Sequence, residues 1–391
     1  MRIPMSSPDI TEAELAAVTA VLRTPTLSIG PQIVAFEQAC AAYVGARHAA
    51  GVNSGTSGLH LCMIAAGVGP GDLVLTSSFS FIASANAVLY ERAIPVFVDV
   101  DRATGNLSPA LVAEAAHDLA TGGTAAARWL PRGVDAAAVG QLRAILPVHA
   151  FGQPADMDPI METARTYGLA VIEDACEAIG AEYRGRRAGT IGDAGVFAFY
   201  PNKQMTTGEG GMIVCDRDDW LPLFRSLRNQ GRDVFDSWLN HTRLGYNYRL
   251  DELSAALGLA QLRRIDELLA KRDRVARWYH ERLAGLELVE RPWVAESTTR
   301  MSWFVYVVRI RPPADRDQVM ARLAEVGIPS RPYFTPIHLQ PFYRDRFGYR
   351  RADLPVTEQL GDCSLALPFS SVMQESQVDE VCAQLRRAVA A

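Results

Sequence analysis

Runs of apolar residues alternate with amphipathic segments along the first 215 residues of the chain. Short continuous apolar runs are typical of strands buried on both faces of a parallel sheet, and helical spacing predicts the helices between them. Strands are predicted at 49–52, 73–76, 95–100, 144–148, 170–172, 196–199 and 211–215. Helices are predicted at 10–22, 32–44, 57–66 and 81–90. This alternation predicts an α/β fold, with a large domain whose mainly parallel sheet is flanked by helices.

The pattern changes near Leu250. It predicts one long amphipathic helix at 251–283, a strand at 303–310 and helices at 315–326 and 377–389. Such a mixture predicts a smaller C-terminal α+β domain, so the boundaries are placed at 1–250 and 251–391. Residues 121–142 are rich in Gly and Ala, which predicts a long loop or an inserted helical excursion.

Composition excludes several classes of protein. At 391 residues, 49% of them hydrophobic and 21% charged, the chain is typical of a globular protein with a sizeable core. A net charge of -5 without a basic run argues against a nucleic-acid partner. The longest apolar stretches are shorter than the ~20 residues of a membrane span. Six widely spaced cysteines and a start without an apolar stretch predict a cytoplasmic protein with no disulfides and no metal site.

A lysine and an aspartate supply the sharpest chemical signal. Lys203 follows a hydrophobic strand and precedes a Gly-rich turn, and Asp174 ends a buried-strand pattern. A pyridoxal phosphate enzyme needs both: the lysine forms a Schiff base, and the carboxylate keeps the ring nitrogen protonated so that the ring acts as an electron sink. The alternatives are a solvated surface lysine and an aspartate that caps a helix or forms a structural salt bridge. The order of the two residues favours the cofactor site.

Two further segments suit the same cofactor. Ser54, Gly55 and Thr56 lie between a short strand and an apolar helix, where a helix N-terminus binds anions such as phosphate. Gly55 would let the backbone approach the phosphate, although such a segment is more often a plain helix cap. Phe81, near the end of the next strand, would stack on the pyridine ring, and its alternative is a core phenylalanine.

Together these residues resemble the DegT/DnrJ/StrS family, the sugar aminotransferases of pyridoxal phosphate fold type I. The resemblance covers nearly the whole chain. The motifs that carry it lie at 27–31, 95–101, 147–158, 173–178, 245–252 and 333–338. Such proteins are homodimers with the active site at the subunit interface.

The resemblance implies a site residue by residue. The cofactor would be bound covalently to Lys203 as an internal aldimine, with pyridoxamine phosphate formed during turnover, and residues 1–250 would be the cofactor-binding domain. The implied contacts are Gly55 and Thr56 on the phosphate, Phe81 stacked on the ring, Asp174 at the ring nitrogen, Glu177 near the ring hydroxyl and Asn247 on the phosphate from the partner subunit.

The implied reaction moves an amino group, usually from L-glutamate, onto a nucleotide-linked keto-deoxy-sugar. Related sugar 3-dehydratases carry histidine at the position of Lys203, so the lysine favours transamination. The expected substrate contacts are Ser28, in the loop 26–30, Tyr333 and His338, although His338 could equally be a structural loop residue. An aminotransferase acting on a cyclic polyol ketone, as in aminocyclitol pathways, and a non-catalytic cofactor-binding regulator are the alternatives.

Two positions depart from the common family pattern. Many members carry a serine five residues before the lysine, where this chain has Ala198. Many carry a glutamine near the ring hydroxyl, where this chain has Glu177. The first change removes a phosphate donor, and the second adds a possible negative charge beside the cofactor. The stretch 121–142 is also longer than usual.

Overall fold

Helices and strands alternate through the part of the chain that this computed structural model describes, residues 3–232 and 240–390. The helices are α1 Glu12–Leu22, α2 Pro31–Val44, α3 Gly55–Ala65, α4 Ala83–Tyr90, α5 Pro109–Thr121, α6 Gly123–Ala127, α7 Met157–Tyr167, α8 Trp220–Leu227, α9 Glu252–Arg263, α10 Ile265–Arg282, α11 Arg316–Glu325, α12 Pro341–Phe347, α13 Pro355–Cys363 and α14 Glu375–Ala390. The strands are β1 His48–Val52, β2 Leu73–Ser77, β3 Ile94–Val98, β4 Leu142–Leu146, β5 Ala170–Asp174, β6 Glu182–Tyr183, β7 Arg186–Arg187, β8 Ala194–Ala198, β9 Gly211–Cys215, β10 Val289–Glu290, β11 Thr298–Arg300, β12 Tyr306–Ile310, β13 Arg331–Pro332 and β14 Ser364–Leu367.

Seven strands form the large sheet, in the order β1-β9-β8-β5-β4-β2-β3. The strands β3, β2, β4, β5 and β8 run parallel, whereas β9 is antiparallel to both of its neighbours. Apolar side chains bury both faces of the central strands, as expected for a sheet covered by helices. The prediction of an α/β fold with a mainly parallel sheet is therefore confirmed. Because the parallel strands end at one edge, the segments that follow β2, β5 and β8 meet there.

A second sheet, in the order β10-β12-β14-β13, builds the C-terminal part of the fold. Its apolar face packs against α10, α11 and α14. Strand β12 lies inside the predicted strand 303–310, and α11 and α14 match the two helices predicted in this part of the chain. No helix of the described residues is long and apolar enough to cross a membrane.

The prediction of one helix at 251–283 was wrong. The chain leaves the helical path at Arg264, which ends α9 and precedes α10 with φ -108° and ψ 7°. Its guanidinium donates to Asp9 Oδ1 at 3.0 Å and Glu14 Oε1 at 2.9 Å, and also bonds Glu267. Apolar positions continue on both sides of this junction, so the hydrophobic pattern alone does not reveal the break.

Helix α10 connects the two cores. Its first half, with Ile265 and Leu268, packs against the helices and strands of the large sheet, as α9 does. Its second half, with Val275 and Tyr279, packs against the second sheet. The domain boundary at residue 250 stays a prediction.

The segment 121–142 combines a short helix with irregular chain. Helix α6 follows α5 after one residue, and β4 begins at Leu142. Trp129 Nε1 donates to Asp118 Oδ2 at 2.8 Å, and Arg132 forms a bidentate pair with Asp353 at 2.6 and 2.7 Å. The segment is thus fastened to α5 and to the C-terminal part of the fold.

Candidate active site

A cavity of about 820 Å³ lies at the edge of the large sheet where its parallel strands end. The chain that follows β2, β4, β5 and β8 supplies one side, and the segments around Phe304 and Tyr333 supply the other. Seven of the site residues expected from the sequence line it: Gly55, Thr56, Phe81, Asp174, Glu177, Lys203 and Tyr333. The structure therefore brings together most of the cofactor contacts that the sequence suggested.

Lys203 lies in the turn after β8, where its backbone N-H donates to the Tyr200 carbonyl at 2.9 Å. Its side chain is only 13% exposed. The amine Nζ is 3.4 Å from Glu177 Oε1 and 3.8 Å from the centroid of the Phe304 ring. The alternative of a solvated surface lysine is therefore wrong. Phe304 is about a hundred residues away along the chain, and no local signal in the sequence pairs it with the lysine.

Asp174 is the last residue of β5 and is almost completely buried. Its Oδ2 accepts a hydrogen bond from the Ser84 hydroxyl at 2.6 Å, and its Oδ1 accepts one from the Cys176 N-H at 3.2 Å. These two donors hold the Asp174 carboxylate in one orientation. Sequence reasoning missed Ser84, whose only signal is a hydroxyl in the first turn of α4, the helix that follows β2.

Glu177 places a second carboxyl beside the amine. Its Oε2 accepts from the Phe151 N-H at 2.9 Å, and Oε1 is the atom nearest Lys203 Nζ. Burial raises the pKa of the Glu177 carboxyl, although the Lys203 ammonium acts in the opposite direction. The site thus holds a carboxyl that takes up a proton more readily than an exposed glutamate does.

We expect Glu177→Gln to flatten the pH dependence of stability in the cofactor-free protein. Because the folded-state pKa of Glu177 lies above the ordinary 4.5, the folded chain binds this proton more tightly than the unfolded chain. The free energy of unfolding of the native protein should therefore fall as pH rises from 4.5 through the folded-state pKa. In the variant, which cannot bind this proton, the free energy of unfolding should fall less over the same pH range. Urea unfolding at about pH 5 and about pH 8 measures the difference. Glu281→Gln, at an exposed position, is the control, and parallel curves for native and Glu177→Gln protein would contradict the prediction.

The N-terminus of α3 faces the cavity. Ser54 caps it, because its hydroxyl oxygen accepts from the Ser57 N-H at 3.1 Å. Gly55 and Thr56 follow the cap in the first turn, where backbone N-H groups have no acceptor within the helix. A Cβ on Gly55 would lie 2.7 Å from Cys176 Sγ and 2.8 Å from the Ala198 Cβ. The helix cap and the anion site are therefore compatible, and glycine allows the close packing between them.

The added methyl group of Gly55→Ala would overpack this position, at a cost of about 1–3 kcal/mol, and would displace the start of α3. Gly55→Ala is therefore expected to lower the affinity for the cofactor by about tenfold. Gly69→Ala is the matched control, since the nearest atom to its Cβ would be Asp72 Oδ2 at 3.9 Å. Titration of both cofactor-free variants with pyridoxal phosphate measures the effect. An unchanged affinity in Gly55→Ala would show that the start of α3 does not bind the phosphate.

Two aromatic residues reach the cavity from opposite sides. Phe81 lies two residues before α4, which starts later than predicted, and the residue is 64% exposed. The core alternative for Phe81 is therefore wrong, and the ring is free to cover a bound group. Tyr333 is half-buried between the rings of Phe151 and Phe304, and burial raises the pKa of Tyr333 to about 12.

Three residues expected at the site lie outside this cavity. His338 is fully buried, with Nδ1 2.7 Å from Ser78 Oγ and Nε2 3.1 Å from Glu358 Oε1, which supports its structural alternative and not a substrate contact. Ser28 is exposed. Asn247 is exposed as well and accepts a long hydrogen bond from Asn53 through its carbonyl. The roles of Ser28 and Asn247 stay predictions.

The donor set of the cavity fits pyridoxal phosphate. It combines an anion site at α3, a carboxylate suited to a protonated ring nitrogen, a desolvated amine and aromatic walls. In addition, Asn202 lines the cavity and its buried Oδ1 has no hydrogen-bond partner among the described residues. Among all the described residues, no cluster of His, Cys, Asp and Glu could hold a metal ion.

Comparison with known proteins agrees with this site. A model of the DegT/DnrJ/EryC1/StrS aminotransferase family matches residues 8–386. The chain belongs to this family. It is 41% identical over 388 residues to the GDP-perosamine synthase of Caulobacter vibrioides, covering 98% of this chain and 97% of that protein. It is 34% identical over 397 residues to the spore coat polysaccharide biosynthesis protein SpsC of Bacillus subtilis, covering 98% and 96%.

Solved structures of similar proteins share the fold. DesV of S. venezuelae, determined in complex with a ketimine intermediate, is 33% identical with a TM-score of 0.86, covering 99% of this chain and 98% of that one. The synthase of 3-amino-5-hydroxybenzoic acid is 28% identical with a TM-score of 0.86 and the same coverage. The predictions of fold type, enzyme class and cofactor are confirmed: this member of the DegT/DnrJ/EryC1/StrS family is a pyridoxal phosphate-dependent aminotransferase.

Proposed function

We propose that this enzyme transfers an amino group from L-glutamate to the keto group of a nucleotide-linked keto-deoxy-sugar. The observation that carries the proposal is the buried amine of Lys203, enclosed by Glu177 and Phe304 in the cavity that also contains Asp174. The sugar class is supported by the identity of 41% to GDP-perosamine synthase over nearly the whole chain.

Each residue has a task that its position suits. The bound cofactor supplies a ring that accepts the electron pair left when a proton leaves the substrate carbon. The first N-H groups of α3 would bind its phosphate, and Phe81 would lie against the ring. Asp174 would hold a proton on the ring nitrogen, and Ser84 keeps the Asp174 carboxylate in place. Lys203 would hold the cofactor covalently and, as a free amine, would move the proton to and from the substrate carbon.

The lysine also favours one outcome of this chemistry. An imidazole cannot form a Schiff base, so a histidine at this position would remove both the covalent attachment and the mobile amine. With Lys203 in the cavity, its amine would carry the proton between the substrate carbon and the cofactor, and the amino group would be transferred and not lost. This is the basis for proposing transamination and not dehydration.

We further propose a homodimer that completes the site. The aromatic ring of Phe81 is largely exposed although it lines the cavity, and Asn247 is exposed outside it. Their exposure supports a second copy that would cover the cavity, with Asn247 of the partner subunit reaching the phosphate. We also propose that the protein is located in the cytoplasm, as the sequence predicts.

Two half-reactions test the function. The cofactor-loaded enzyme should lose its visible absorbance on addition of L-glutamate and release 2-oxoglutarate. The resulting pyridoxamine form should then regain the absorbance with one member of a panel of nucleotide-linked 3-keto and 4-keto sugars. Recovery only with a cyclic polyol ketone would support the aminocyclitol alternative, and no change with any amino donor would contradict the proposal.

A further inference from the structure

Arg272, in the middle of α10, is a fully buried cation that is 1% exposed. Its Nη1 donates to the carbonyls of Trp303 at 3.2 Å and Phe304 at 3.0 Å. Its Nη2 donates to the carbonyls of Asn202 at 3.2 Å and Lys203 at 2.7 Å. Burial lowers the pKa of Arg272 to about 10, so the group stays charged at neutral pH. No carboxylate is among its hydrogen-bond partners in the described parts of the chain.

A buried charge without a counter-ion is costly and needs several well-placed acceptors. Here the acceptors come as two pairs of consecutive carbonyls from two separate segments. One pair lies in the turn that contains Lys203, and the other lies just before β12 and includes Phe304. The planar guanidinium can bridge two such pairs at once, which a lysine ammonium cannot do with the same geometry.

The same two segments also meet through their side chains. The amine of Lys203 lies 3.8 Å from the centroid of the Phe304 ring. Arg272 therefore holds the backbone of the lysine and the backbone of the residue whose ring the amine contacts. Gln204 adds a neighbouring tie, since its side chain donates to the carbonyls of Glu177 and Ser302.

Helix α10 packs in both cores, on either side of this contact. On one side of Arg272 along the helix, Leu268 and Leu269 pack in the core of the large sheet. On the other side, Val275 and Tyr279 pack in the core of the second sheet. Arg272 thus lies where the two cores meet, and it does not line the cavity.

We propose that Arg272 is a positioning residue that fixes the approach of the Lys203 amine to the cofactor. The proposal rests on the proposed role of Lys203 as the residue that binds the cofactor covalently. Arg272 acts through the backbone carbonyls of the two segments and touches neither cofactor nor substrate.

Two measurements separate this role from a merely structural one: the rate of covalent attachment of pyridoxal phosphate and the affinity for pyridoxamine phosphate. The chain has two lysines, Lys203 and Lys271, so borohydride reduction followed by peptide mass analysis identifies the labelled residue without ambiguity. Cofactor-free Arg272→Gln, Arg272→Lys and native protein are mixed with pyridoxal phosphate, and the growth of the visible absorbance is followed. Binding of pyridoxamine phosphate, which forms no bond to Lys203, is titrated in parallel. Arg277→Gln, on an exposed face of the same helix, is the control.

We expect attachment at Lys203 to slow by about tenfold or more in Arg272→Gln and by less in Arg272→Lys, because misplacement by about 1 Å is enough for such losses. The affinity for pyridoxamine phosphate should stay within about twofold, and Arg277→Gln should match the native protein. If Arg272→Gln does not fold, the same two measurements on Arg272→Lys decide. A lower melting temperature with an unchanged attachment rate would overturn this inference alone. Failure of the native protein to become labelled at Lys203 would overturn the proposed function as well.

Discussion

Lys203→Ala is expected to abolish transamination, with a loss of kcat of roughly 10⁴-fold or more, at or beyond the upper end of what one acid-base group supplies. The amine is buried in the cavity beside Glu177 and Phe304, and no other amine lines that cavity in the described parts of the chain. The variant loses both the covalent attachment and the base that moves the proton. Steady-state rates with the identified acceptor, and the glutamate half-reaction alone, measure the loss.

The chain offers a matched control for this substitution. Lys271, the other lysine, forms ion pairs with Asp9 at 2.8 Å and Glu267 at 2.6 Å, outside the cavity. Partly exposed pairs of this kind contribute at most about 1 kcal/mol each, so Lys271→Ala should keep its activity and its borohydride labelling. Labelling that persists in Lys203→Ala, or activity within about tenfold of native, would contradict the assignment of Lys203.

The sheet that positions the site could be predicted because buried parallel strands are continuous apolar runs. Strand β5 was expected at 170–172 and is observed at Ala170–Asp174, so the carboxylate that follows the run was placed at the correct edge of the sheet. Lys203 could be placed in the same way, because it follows β8 and precedes a Gly-rich turn. Residues that lie at strand ends are therefore the part of the site that the sequence reveals.

The contacts that orient these residues could not be predicted, because they join distant parts of the chain. Ser84 reaches Asp174 across 90 residues, and Arg272 reaches the Lys203 carbonyl across 69. In the sequence, Arg272 is one of several charged residues on an amphipathic helix, and nothing in the pattern marks it as buried. The sequence likewise left His338 open between a substrate contact and a structural residue, because it does not show that both ring nitrogens have buried partners.

Asp174→Asn is the second substitution with a large expected effect, a loss of kcat of roughly 10²–10⁴-fold, the range for groups that control a proton in the transition state. The amide has almost the same size as the carboxylate, but it carries no charge and cannot hold a proton on the ring nitrogen. The ring then accepts electrons less well, and loss of the proton from the substrate carbon becomes slower. The glutamate half-reaction, followed by absorbance in a single turnover, reports this step directly.

Ser84→Ala separates the charge of Asp174 from its orientation. It removes the hydroxyl donor 2.6 Å from Oδ2 and leaves the carboxylate and the Cys176 N-H in place. Because one hydrogen bond to a charged group contributes about 1.5–3 kcal/mol, we expect a loss of roughly tenfold to a hundredfold, smaller than that of Asp174→Asn. Equal losses in the two variants would mean that orientation of the carboxylate limits the rate. A half-reaction in Asp174→Asn within about threefold of native would show that the ring nitrogen takes its proton from elsewhere, and the assignment of Asp174 would be wrong.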